Sequence, residues 1–142
     1  LKILRGNPGK RPLNKREPRP QPIAPKCPAW LDPEAKREWR RIVPPLDKIG
    51  MLTQADMATV AGYCQSYSRW MQAERVLSEH GLTMEYETKT GALYSQARPE
   101  VAISQKERQL MMQFGARLGL SPSDRGRMTL PQVDSDDDTG LD

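Results

Sequence analysis

The stretch DPEAKREWRRIVPPLDKIGMLTQADMATVAGYCQSYSRWMQAERVLSEHG, residues 32–81, decides the fold class. Asp32 suits a helix N-cap, Pro33 the first helical position, and Glu34 the positive end of the helix dipole. From there Ala35, Trp39, Ile42, Leu46 and Ile49 recur at spacings of four and three, which is one apolar stripe of an α-helix. Lys36, Arg37, Arg40 and Arg41 fall on the opposite side. Pro44 and Pro45 each lack an amide donor, so a break or kink is predicted there, with 45–49 as a separate turn. Thr53 and Asp56 have capping-box spacing and open a second helix from 54 to about 80. Met57, Val60, Ala61, Cys64 and Met71 make its stripe, which Trp70, Ala73 and Leu77 continue with drift. Gly81 suits the left-handed residue that ends a helix.

Beyond Gly81 the period changes. Leu82, Met84 and Tyr86 alternate with Thr83, Glu85 and Glu87; Lys89-Thr90-Gly91 is turn-like, and Leu93-Tyr94 returns. This predicts a β-hairpin around 82–97, which needs a helix or a neighbouring subunit to pack on. A third helix is expected from Pro99 to Gly119, with Ile103, Leu110, Met111, Phe114 and Leu118 inward. Ser121-Pro122-Ser123-Asp124 then repeats the cap, proline and acid pattern, so a short helix follows. The fold class is mainly α: a long-helix αα-hairpin plus a third helix, with a small β-hairpin, an extended N-terminal arm and a disordered acidic C-terminal tail. An αα-hairpin fits better than a helix-turn-helix, because the second helix is long for a recognition helix and the proline pair disturbs the first.

Charge divides the chain more sharply than its net +4 suggests. Residues 1–29 form a basic, proline-rich arm with eight Lys or Arg, one acid and seven prolines. Residues 30–127 make a nearly balanced helical body. Residues 128–142 form the acidic tail, with five Asp and no base. Basic arms commonly meet nucleic acid, and acidic tails meet partners or stay solvated. No run reaches the roughly 18 apolar residues of a membrane helix, and no signal peptide opens the chain, which argues against membrane and secreted classes. Leu1 in place of Met suggests a missing N-terminus.

The chain offers little for catalysis. Cys27 and Cys64 suit free thiols in a reducing cytoplasm, and with His80 as the only histidine they make no zinc site. Gly6-Asn7-Pro8-Gly9-Lys10-Arg11 fails the spacing of a phosphate loop and has Arg11 where a hydroxyl is required. Asp134, Asp136, Asp137 and Asp138 lie in a segment too polar to fold around metal ions. No catalytic residue, metal or cofactor is therefore expected. Trp30, Trp39 and Trp70 are expected as packing anchors, and Cys64 as a small core residue. The candidate DNA-binding residues are Lys2, Arg5, Lys10, Arg11, Lys15 and Arg16 of the arm, and Lys36, Arg37, Arg40 and Arg41 of the first helix. The arm can equally lace over a neighbouring subunit, and the helix face can simply be solvated.

Several blocks occur together and in order: Leu4-Arg5-Gly6-Asn7-Pro8-Gly9-Lys10-Arg11-Pro12-Leu13-Asn14, Pro28-Ala29-Trp30-Leu31, Ala35-Lys36-Arg37-Glu38-Trp39, Gly50-Met51-Leu52-Thr53, Tyr63-Cys64 and Gly119-Leu120-Ser121-Pro122-Ser123-Asp124-Arg125. Over about residues 4–127 the chain resembles the bacteriophage terminase small-subunit family that carries an arm of the form LRGNPGKRP. It departs from that family at Arg98-Pro99, where Asn-Pro is usual. The resemblance implies a non-catalytic subunit of viral genome packaging. Such a subunit binds double-stranded viral DNA as a homo-oligomeric ring and regulates a separate large subunit carrying the ATPase and nuclease, in the cytoplasm of the infected bacterial host and without a membrane partner. Two other readings stand beside it: a structural assembly protein whose arm laces subunits without reading DNA, and a small DNA-binding regulator.

Overall fold

The computed structural model describes residues 21–127. Expectations for the arm before residue 21 and for the tail from 128 lie outside those residues. Helix α1 spans Pro33–Lys48, a 3-10 turn covers Gln54–Asp56, and helix α2 spans Met57–His80. Strands β1 (Thr83–Glu87) and β2 (Leu93–Ala97) pair antiparallel, with Glu85 opposite Ser95 and Tyr86 opposite Tyr94. Helix α3 spans Pro99–Arg117 and α4 spans Pro122–Arg127. The mainly helical architecture with one small hairpin is the expected class.

Helix α1 starts where its capping chemistry sits. The Asp32 carboxylate accepts from the Ala35 amide at 2.9 Å, and Pro33 follows as the first helical residue. The same carboxylate also accepts from Ser68 at 2.7 Å and Gln65 at 2.8 Å, both on α2. One aspartate thus caps α1 and ties it to α2. Burial pushes the Asp32 pKa up, but the bonds from Ala35, Ser68 and Gln65 prevail and hold it below the usual value.

The core joins Leu31, Ala35, Trp39, Ile42, Val43 and Leu46 to Leu52, Val60, Ala61, Tyr63, Cys64 and Leu118. Ahead of it Pro25 is buried and Ala24 packs against the cluster, so chain N-terminal to α1 already belongs to the packed unit.

Several expectations need correction, among them Met57, which heads the α2 stripe in sequence but stands 39% exposed at the first residue of the helix. Helix α1 runs through Pro44 and Pro45 to Lys48 without a break. The prolines deprive the carbonyls of Arg40 and Arg41 of their helical partners, but both residues lie on the exposed face, where water serves. Burial of Val43 and Leu46 on the other face holds the last turn. Ile49 is not in the stripe; it is the C-cap and stands 47% exposed. There the helix closes in a Schellman arrangement, with Met51 N–H to Leu46 O at 3.0 Å and Gly50 N–H to Asp47 O at 2.9 Å, which requires the positive φ of +70° at Gly50. Trp30 is 69% exposed, because the tight turn from Pro28 sends Leu31 into the core instead. Ile103 points outward at 43% exposure, and Ser104 and Glu107 face inward. The reason lies across the interface on α2, whose polar side chains meet them: Ser104 donates to Glu74 at 2.5 Å, and Arg69 lies 3.9 Å from Glu107.

Helix α2 is the spine, packing against α1 on one side and more extensively against α3 on the other. Gly62 permits the second contact: a Cβ there would lie 2.7 Å from the Phe114 ring tip. The hairpin behaves differently. Its strands pair with each other but barely touch the helices, and Leu82, Leu93 and Tyr94 stay exposed. Tyr86 and Tyr94 stack across it with centroids 5.4 Å apart. Among the described residues the hairpin therefore finds little surface of the kind it was expected to need.

Candidate nucleic-acid interface

The candidate cations at positions 2, 5, 10, 11, 15 and 16 lie outside the described residues. Lys36, Arg37, Arg40 and Arg41 do share the outer side of α1, with Lys36 half-buried and the three arginines exposed. Helical spacing puts them there, since Trp39, Ile42, Val43 and Leu46 fix the inner side.

Carboxylates at i−3 split this face in two. Arg37 lies 3.3 Å from Glu34, which also meets Arg75 of α2 at 3.2 Å. Arg41 grips Glu38 with two nitrogens, its Nε donating at 2.8 Å. Glu38 is only 2% exposed, so this pair neutralises a carboxylate inside the fold. Hydrogen bonding to Glu38 raises the Arg41 pKa further. Near the same carboxylate, burial first and the charge of Glu38 second push the Tyr63 hydroxyl and the Cys64 thiol each up to about 12. Arg37 and Arg41 thus hold the structure together as much as they present charge.

Lys36 and Arg40 differ. Neither has a carboxylate partner among the described residues. Arg40 Nε donates to the Lys36 carbonyl at 3.3 Å, which steadies the guanidinium against its own helix. Both side chains line an open cleft of about 310 Å³ whose other wall is Cys27, Pro28 and Ala29. Sequence spacing grouped four cations; the structure leaves two of them free and sets those two where the arm joins the body. The i−3 glutamates were a readable sign of this split. Arg75, which shares Glu34 from 41 positions away, left no such sign.

Among the described residues no three His, Cys, Asp or Glu side chains gather to hold a metal ion, and no helix is long and apolar enough to cross a membrane. Cys64 is fully buried in the core, as expected, and Cys27 is exposed.

A family model described as phage terminase, small subunit, matches residues 35–135, more than half of the chain. No curated protein and no solved structure matches. The match runs through α1, α2, the hairpin, α3 and α4, so it rests on the helical body and not on the arm motif at 4–14. The chain therefore belongs to the phage terminase small-subunit family, and its role is in phage DNA packaging.

Proposed function

We propose that this chain binds double-stranded viral DNA as a homo-oligomeric ring and regulates the packaging large subunit, which carries the ATPase and nuclease. Small subunits of this family are generally non-catalytic and regulatory. The observation that carries DNA binding is that Lys36 and Arg40, at the root of an arm rich in cations, have no carboxylate partner among the described residues. Cations that are not already neutralised can displace counterions from a duplex, and that release supplies most non-specific affinity. Self-association is supported by the hairpin, whose apolar side chains lack a partner surface among the described residues. The setting is the cytoplasm of the infected bacterial host. In organisation, residues 1–29 supply the basic arm, whose last residues dock on the body at Ala24 and Pro25, 30–127 the body and 128–142 a disordered acidic tail.

The test is a salt series read by fluorescence anisotropy. With about six arm cations engaged, log affinity falls against log salt with a slope near −5. Replacing Lys10, Arg11, Lys15 and Arg16 with alanine weakens binding to all duplexes alike and flattens the slope by roughly three to four. The lacing alternative draws on the same unpartnered hairpin, which offers a neighbour's arm a place to lie. Sizing of the four-alanine variant separates the two: unchanged DNA binding with a collapsed oligomer assigns the arm to lacing. The family match favours a packaging subunit over a free-standing regulator.

A further inference from the structure

We infer that the cleft between residues 27–29 and α1 is a phosphate subsite, in which Lys36 and Arg40 grip one backbone phosphate of a bound duplex. This rests on the DNA-binding reading above and names the part of the body that continues the arm's contact.

Three observations converge on the cleft. Its volume of about 310 Å³ is at the lower end of ligand-sized pockets, enough for a small anionic group and too small for a base-recognition helix. Among the described residues its charged lining is Lys36 and Arg40, one turn apart on α1. Among the described residues neither has a carboxylate partner, although Arg37 and Arg41 beside them are each paired. A face that merely needed solubility would gain nothing from leaving these two unpaired inside a concavity. An arginine with a nearby ammonium suits a phosphodiester oxygen, and an open cleft admits a backbone phosphate still attached to its duplex. The opposite wall, Cys27-Pro28-Ala29, is continuous with the basic arm. Phosphate contacts position a duplex and carry no base information.

Cys27 reports on the cleft directly. It lines the cleft and is exposed, whereas Cys64 is fully buried. Iodoacetamide on the native full chain should therefore alkylate Cys27 alone, with Cys64 reacting only after denaturation. A mixed-sequence duplex at ten times its dissociation constant should slow Cys27 alkylation about tenfold by mass action. In the Lys36→Ala/Arg40→Ala variant the arm still binds, the salt slope is flatter by about one, as loss of a single phosphate contact requires, and Cys27 stays reactive with duplex bound. Swapping the cations, Lys36→Arg with Arg40→Lys, restores protection, and circular dichroism confirms that both variants keep their helices.

Full alkylation of Cys27 while anisotropy shows the duplex bound overturns the subsite and leaves the DNA-binding reading standing. Equal protection in the double-alanine variant overturns it as well, because the arm alone then shields the thiol. Protection by inorganic phosphate at matched ionic strength, with none by duplex, assigns the cleft to a free anion and overturns the duplex contact. A Cys27 that is inert without DNA shows the cleft closed in the oligomer, with the same consequence. Absence of duplex binding at any salt removes both readings together.

Discussion

Asp32 and Ser68 show how one side chain carries several duties. Ser68 is wholly buried, and its hydroxyl donates to the carboxylate that also caps α1. Ser68→Ala removes a hydrogen bond to a charged, part-buried carboxylate from a wholly buried position, so a loss of about 1–3 kcal/mol is expected at pH 7. The pH dependence has a definite sign. The folded pKa of Asp32 lies below its unfolded value, so its contribution is full above about pH 4 and fades as pH falls through the folded value. The gap between wild type and Ser68→Ala should therefore narrow in urea melts near pH 3 relative to pH 7; a constant gap would remove the aspartate from the account. The α1 cations differ for the same kind of reason. Arg41→Ala strands the buried Glu38 and costs about 1–3 kcal/mol, whereas Arg40→Ala stays within about 0.5 kcal/mol of wild type, as chemical denaturation can read.

Helix α1 tests what a proline pair costs when the exposed side of a helix absorbs it. Alanines at 44 and 45 return two amide donors to the carbonyls of Arg40 and Arg41, and the doubly substituted protein should gain about 1–3 kcal/mol, seen as a Tm higher by several degrees. A lower Tm would mean that the prolines make contacts of their own. Legibility followed the range of each interaction. The start of α1, the Thr53–Asp56 box with its 2.8 Å bond, the hairpin and the Gly119 terminus were all readable, because their causes lie within a few residues. The inward face of α3 was not readable: Ile103 looked like core until Arg69 and Glu74, more than one element away, drew Ser104 and Glu107 inward. Trp30 failed similarly, since nothing local says that Leu31 rather than its larger neighbour enters the core. For the candidate interface, the four α1 cations were legible as a face, but which of them remain free depended on Glu34 and Glu38.

At the scale of the whole molecule, the helices and the hairpin are unequal partners. If the hairpin completes its packing on a second copy, Leu93→Asp should shift sedimentation toward the monomer at tens of micromolar, on the order of usual assay concentrations, while leaving the helical circular dichroism unchanged. An oligomer indifferent to that charge would place the subunit contact elsewhere. The legs of the hairpin leave the end of α2 and enter the start of α3, and among the described residues little else restrains them. An element attached that way forms its own cooperative unit. In dilute solution its amides should exchange with solvent at opening free energies far below those of Val60 or Cys64 on α2, and heating should unzip it before the helices separate. Raising the protein concentration should then slow exchange in the hairpin alone, which makes residues 83–97 a built-in gauge of assembly, readable without any label.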